Sequence, residues 1–252
     1  MKKTVLITGA TSGIGLSCAR IFTKNNFNII ITGRRKERLG KISQEIAEEF
    51  GVEVKTLSFD IRQKDLVFDA VDKLKGQGIN IDILINNAGL ASGLNTLQDG
   101  DIDDWEKMID TNIKGLLYMS RAVLPMMINN ESGHIINIGS IAGKEVYPNG
   151  NVYCGTKHAV DAITKGMRID AVKHGIKVSQ LAPGAVETEF SVVRFHGDKQ
   201  KADSVYKGFQ PLTPDDIADA VFYVANTPKH VNINDMVIMP TAQASAVVIH
   251  KE

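Results

Sequence analysis

Apolar positions along this chain fall into two alternating kinds of run. Short stretches rich in β-branched residues, such as Thr4-Val5-Leu6-Ile7, Asn28-Ile29-Ile30-Ile31-Thr32 and His134-Ile135-Ile136-Asn137-Ile138, are hydrophobic at nearly every position. Strands covered on both faces read this way. Longer stretches between them repeat their apolar residues at helical spacing. The pattern predicts strands at residues 4–8, 28–32, 53–58, 81–85, 134–138, 177–181 and 236–239, and helices at 13–24, 36–49, 63–75, 102–128, 152–173 and 214–225. Strand and helix in strict alternation build βαβ units, so the expected fold class is α/β: a doubly wound sheet of seven parallel strands with helices on both faces. The 102–128 stretch is long for one globular helix, and Gly115 is expected to bend it, as Gly166 is expected to bend the next. Residues 186–210 break the pattern with Arg, His, Gly, Asp and Lys among scattered apolar residues. A mobile substrate loop and a plain surface excursion are both compatible with that. No repeat or linker divides residues 1–252, which read as a single domain.

Composition narrows the partners. With 43% hydrophobic residues in 252, there is material for one large core. The 29 basic side chains are cancelled by 29 acidic ones, leaving no net field to draw the chain to nucleic acid or an anionic membrane. A small-molecule partner is expected instead. Cys18 and Cys154 each fall within a predicted helix and form neither a metal cluster nor a disulfide framework, so a reducing, cytoplasmic setting is expected and no metal. The opening Lys2-Lys3 and the four apolar-leaning residues after it run straight into a glycine turn, too short for a signal peptide or membrane span.

That turn, Thr8-Gly9-Ala10-Thr11-Ser12-Gly13-Ile14-Gly15, joins the first strand to the first helix. Glycines there permit a tight turn, close approach of backbone to a pyrophosphate, and packing of the helix whose free N–H groups face the anion. The G-x-x-x-G-x-G spacing departs from the commoner dinucleotide fingerprint, and a ligand-free turn would also fit it. After the second strand, where an acidic residue would take the ribose hydroxyls of NAD, the chain has Gly33-Arg34-Arg35. Arg34 and Arg35 suit a 2′-phosphate, because a guanidinium forks onto it; a solvated basic helix start with Lys36 and Arg38 is the plainer alternative. Tyr153 and Lys157 lie four apart, hence on one helix face, where an ammonium would favour the phenolate; an ordinary amphipathic pair has the same spacing. Ser140 follows a predicted strand at its carboxyl end, the edge where such sheets place ligands.

Together, T-G-x-x-x-G-x-G at Thr8 to Gly15, N-N-A-G at Asn86 to Gly89, Asn112, Ser140 and Y-x-x-x-K at Tyr153 to Lys157 resemble the short-chain dehydrogenase/reductase family, in order and over the whole chain. The resemblance implies a Rossmann-like fold and NADP(H)-dependent hydride transfer. It makes Tyr153 the general acid/base, Lys157 the group that lowers its pKa and holds the nicotinamide ribose, Ser140 the orienter of the carbonyl, and Asn112 the holder of a water on the way to Lys157. Gly9, Thr11, Ser12, Gly13, Ile14 and Gly15 would cradle the phosphates. Asn87, Ala88 and Gly89 would support the ribose, and Asp60 and Ile61 would flank the adenine; Asp60 also fits a simple helix cap before Gln63. Pro183, Gly184, Val186 and Thr188 resemble the loop that contacts the carboxamide.

Within the family, Thr32-Gly33-Arg34-Arg35, Asn86 to Ala91, Glu189 to Phe195 and Asn232-Ile233-Asn234 are similar to the NADP-dependent 3-hydroxy acid dehydrogenases, which act on serine, allo-threonine or 3-hydroxyisobutyrate. Such chemistry needs a carboxylate clamp, for which Arg194 is the first candidate and Lys144 and His196 lesser ones. A reductase of uncharged carbonyls and a non-catalytic NADP(H) sensor are the alternatives. The intact Ser140, Tyr153 and Lys157 set speaks against the sensor. Related chains form homotetramers through the two long helices.

Overall fold

The computed structural model describes residues 2–252. Its apolar runs form β1 (Thr4–Ile7), β2 (Asn28–Gly33), β3 (Val54–Ser58), β4 (Ile83–Asn86), β5 (His134–Ile138), β6 (Lys177–Pro183) and β7 (Asp235–Ile238). All pair in parallel, in the order β3-β2-β1-β4-β5-β6-β7. The uninterrupted hydrophobicity of the strands has a direct cause. Val5 and Ile7 of β1 point into one core layer with Ile29, Ile31, Ile83 and Ile85, while Leu6 points into the opposite layer with Ile30 and Leu84. Neither face of β1 reaches water, so its successive residues are apolar although they alternate sides, whereas the outer strands β3 and β7 keep exposed positions.

Helices α1 (Gly13–Lys24), α2 (Lys36–Phe50) and α9 (Pro214–Ala225) cover the first face, where Phe22 stands edge-on to Phe27 and Phe222 with ring centroids 5.1 and 5.3 Å away. The second face is covered by α3 (Lys64–Gly76), α5 (Leu116–Asn129) and α6 (Asn151–Ala171), which contribute Val67, Leu74, Met119, Val123 and Ala171 to its core. Local signals bound these helices. Gly51 closes α2 in the left-handed conformation, and Thr213 with Asp216 forms a capping box ahead of Pro214 at the start of α9.

Three expectations need correcting. The 102–128 stretch is helical throughout but not uniform: α4 (Ile102–Ile109) and α5 are joined by a π-helical turn over Asp110–Gly115. Gly115 does mark the place, because a Cβ there would lie 2.9 Å from Ile61, and the turn packs tightly under the loop after β3. At Gly166 the helix is not interrupted: α6 runs through it, and that glycine faces solvent with no atom within 4 Å of a Cβ placed there. Residues 186–210 carry two short helices, α7 (Glu189–Arg194) and α8 (Lys199–Ser204), separated by a turn at His196 and Gly197, both at positive φ. Strand edges move by one or two residues, as at β4 and β7. No helix among the described residues is long and apolar enough to cross a membrane.

Candidate active site

The chain leaves the sheet centre along β1, moves outward through β2 and β3, then returns to β4 on the other side of β1, where Val5 pairs with both Ile29 and Ile83. This reversal opens a crevice at the carboxyl ends of the strands. A cavity of about 540 Å³ occupies it. Every predicted site residue lines that cavity except Gly15, Asn112 and the two lesser clamp candidates, Lys144 and His196.

Backbone approach explains the glycine turn. Gly9 has φ +66° and Gly13 φ +54°, a region that favours glycine. A Cβ on Gly9 would stand 2.8 Å from the Ala88 Cα, and one on Gly15 would stand 2.5 Å from the Asn87 side chain. Asn87 locks the two turns together: its Nδ2 donates to the carbonyls of Thr8 and Gly9 at 2.9 and 3.0 Å, while the backbone N–H groups of Asn87 and Ala88 donate to Thr8 Oγ1. Gly15 thus serves packing below the cavity.

At the outer end, Arg34 and Arg35 follow β2. Arg35 Nη2 donates to Thr11 Oγ1 at 2.7 Å. Glu189 at the start of α7 reaches the same place, accepting from Arg38 Nη2 at 2.5 Å and from Arg35 Nη1 at 3.4 Å. Asp60 is not the cap of α3, whose first turn is preceded by Gln63. Its carboxylate instead pairs with Arg62, accepting from Nη2 at 2.7 Å and from the Arg62 N–H at 3.0 Å, while its edge faces the cavity.

The inner end holds Ser140, Tyr153 and Lys157. Ser140 follows β5, and its Oγ accepts from the Ala142 N–H at 3.1 Å. It also meets Tyr153 on α6. Burial, then the neighbouring Tyr147, raises the Tyr153 phenol above its usual pKa; Ser140 and the Arg194 charge pull it down. Lys157 lies one turn further along α6 and donates to the Ile138 carbonyl at 3.0 Å rather than to the phenol. Burial lowers its pKa to about 8. Asn112, in the π-helical turn, is buried behind this group. Its Nδ2 donates to the Leu90 carbonyl at 2.8 Å and to Thr156 Oγ1 at 3.0 Å, and its Oδ1 accepts from the Leu90 N–H. It therefore ties the loop after β4 to α6.

Of the three clamp candidates, one faces the cavity. Lys144 is taken up by Asp161 and Asp235, and His196 pairs with the buried Asp104 at 3.1 Å. Arg194 instead lays its guanidinium over the rings of Tyr147 and Tyr153, 5.3 and 5.7 Å from their centroids. Its Nε donates to the Gly93 carbonyl at 3.3 Å, and its Nη2 is buried without a partner.

Several lining residues had no site role assigned from the sequence: Tyr147, Phe190 packed edge-on to Tyr153 at 5.6 Å, Glu189, and Gln243, whose Oε1 accepts from the Ala185 N–H. Tyr147 carried a usable signal, an aromatic residue in the short Pro-Asn-Gly turn just before Tyr153. Gln243 carried none, lying in an irregular tail.

A parallel sheet with its cleft at the topological switch point, a glycine turn at one end and a Ser-Tyr-Lys group at the other defines a dinucleotide-dependent oxidoreductase class. The chain belongs to the short-chain dehydrogenase family, whose model matches residues 3–198. It is 47% identical over 243 residues, 96% of either chain, to the NADP-dependent 3-hydroxy acid dehydrogenase YdfG of Salmonella typhi. It is 43% identical over 245 residues, 97% of this chain and 96% of the other, to sulfoacetaldehyde reductase 2 of Chromohalobacter salexigens. Among solved structures, the closed form of serine dehydrogenase complexed with NADP+ superposes with a TM-score of 0.91 at 44% identity, over 99% of this chain and 100% of that one.

Proposed function

We propose that this chain is an NADP(H)-dependent oxidoreductase that interconverts small 3-hydroxy acids, of the serine, allo-threonine and 3-hydroxyisobutyrate type, with their 3-oxo acids. The observation that carries the substrate class is Arg194: a guanidinium with a buried, unpartnered Nη2, over the ring of Tyr153 in the same cavity. Its positive charge is matched to a carboxylate. The relatives reported above act on anionic substrates by name, which supports the same reading.

The residues fit the cofactor. Gly9 and Gly13 leave room for phosphates where a Cβ would crowd the turn, Arg34 and Arg35 stand where a 2′-phosphate would fall, and Asp60 and Ile61 border the adenine end. Asn87, Ala88 and Gly89 line the middle, with Pro183, Gly184, Val186 and Thr188 opposite. When bound, the nicotinamide gives or takes the hydride. In the oxidative direction Ser140 hydrogen-bonds the substrate hydroxyl and Tyr153 takes its proton; in reduction Tyr153 returns it to the carbonyl oxygen. Lys157, with a pKa of about 8, keeps an ammonium near the phenol at neutral pH and faces the ribose side of the cavity. Asn112 holds Leu90 and α6 in register for that arrangement, and a water on its remaining lone pair would lead toward Lys157.

Exposed Ile169 and Val172 at the end of α6 and Leu117 on α5 suit a homotetramer built through these helices. Both cysteines are free and buried, in keeping with a cytoplasmic setting. The test is NADP+ reduction, followed by absorbance, with L-serine, D-serine, allo-threonine and 3-hydroxyisobutyrate beside matched alcohols lacking the carboxylate, repeated with NAD+. Turnover confined to the acids with NADP+ is expected. Equal turnover of the uncharged alcohols would refute the substrate class and leave the family.

A further inference from the structure

Glu189 opens α7 and turns away from the substrate end of the cavity. Its Oε1 accepts from Arg38 Nη2 at 2.5 Å, and its Oε2 accepts from Arg38 Nη1 at 3.2 Å and from Arg35 at 3.4 Å. Two hydroxyls belong to the same cluster: Thr11 Oγ1 accepts from Arg35 Nη2, and Ser12 hydrogen-bonds the Glu189 carboxylate. Two guanidiniums and one hydroxyl around one anion, at the carboxyl end of β2, are the kind of donors that a phosphate monoester takes. The carboxylate comes from a distant part of the chain, 151 residues from Arg38.

Building on the NADP(H) reading above, we propose that Glu189 competes with the cofactor's 2′-phosphate for Arg35 and Arg38, and so sets how strongly the chain prefers NADP(H) over NAD(H). Binding of NADP(H) requires the carboxylate to release the guanidiniums. NAD(H), which has no phosphate there, leaves the ion pairs in place. Because α7 begins at Glu189 and carries Phe190 and Arg194 to the substrate end, release of Glu189 also unties the start of the helix that bears the clamp. Glu189 thus links recognition of the cofactor's outer end to the helix over the substrate. The carboxylate and its two guanidinium partners are each more than a third exposed, so each pair contributes modestly, and the competition is correspondingly mild.

Equilibrium titration of the full chain with NADP+ and with NAD+ at fixed ionic strength, by calorimetry, tests this. Glu189→Gln is expected to tighten NADP+ by about three- to tenfold and to leave NAD+ unchanged. Glu187→Gln, an exposed carboxylate two residues earlier, controls for net charge and is expected to change neither. Wild type binding NADP+ no tighter than NAD+ would overturn the cofactor reading itself. If wild type prefers NADP+, then three results each overturn the competition alone: an unchanged or weaker NADP+ constant in Glu189→Gln, an equal shift for both cofactors, or the same shift in Glu187→Gln.

Discussion

Arg194→Met separates a substrate clamp from a structural arginine. The thioether side chain keeps an apolar stem against Tyr147 and Tyr153 and removes the charge; the backbone bond from the Gly93 N–H to the Arg194 carbonyl, 2.9 Å, is untouched. What the substrate loses can be worked from the geometry. The Nε is already committed to Gly93 and the guanidinium also meets the Tyr147 hydroxyl, which leaves the unpartnered Nη2 for a carboxylate. Hydrogen bonds to a charged group contribute about 1.5–3 kcal/mol, and truncating one partner of a desolvated pair costs about 2–5 kcal/mol. Arg194 is only half-buried, so the lower part applies, about 2–3 kcal/mol, or a fall of about 30- to 150-fold in kcat/KM for the hydroxy acid. An alcohol of the same size without the carboxylate should lose less than about threefold at each enzyme's plateau pH, by the same arithmetic. Because Arg194 helps hold the Tyr153 phenol down, the rise of oxidation with pH should also move to higher pH for both substrates. Steady-state rates on the acid and the alcohol across pH check this. Equal losses on the two would remove Arg194 from carboxylate binding.

Tyr153→Phe should lower turnover by about 10²- to 10⁴-fold, the range for a lost general acid/base, while NADP+ titration stays at the wild-type constant; retained turnover would remove the phenol from the chemistry. Gly9→Ala should destabilise the fold by about 1–3 kcal/mol and weaken cofactor binding, since the residue sits at positive φ with the Ala88 backbone 2.8 Å from the new Cβ. A wild-type thermal midpoint together with wild-type NADP+ affinity would show that the turn tolerates a side chain. His134, buried on β5 with Nε2 2.8 Å from Ser179 Oγ and Nδ1 unpartnered, is driven to a pKa of about 3 by burial and then by Lys177 and Lys3. Between that value and the unfolded pKa of about 6.5 only the unfolded chain takes up the proton, so stability present above this window is lost as pH falls through it, by about 2 kcal/mol at pH 5. Urea denaturation at pH 7 and 5 should show a smaller loss for His134→Gln than for wild type, and equal losses would refute this account.

The sequence by itself determined the sheet, the glycine turn and the two ends of the cavity. Each depends on short-range physics: strands buried on both faces must be apolar throughout, Gly9 and Gly13 must take positive φ, and a Tyr and Lys four apart must share a helix face. The limits of that reading lie where distant segments meet. Gly166 looked like a break point, yet the helix continues through it, since the apolar face of α6 packs on the sheet on either side of that exposed glycine. Asp60 fitted either an adenine contact or a cap, and of these the cap gives way to a pair with Arg62. Lys157 shares its face with Tyr153 as expected, yet only the packed strand end beneath it brings the Ile138 carbonyl to its ammonium. That Lys144 and His196 are occupied, as their lower rank expected, follows only from where Asp161, Asp235 and Asp104 stand, and the link from Glu189 to Arg38 spans 151 residues. Local periodicity carries no information about such pairs. They are decided when the layers close over the sheet and bring charges from separate loops to one edge.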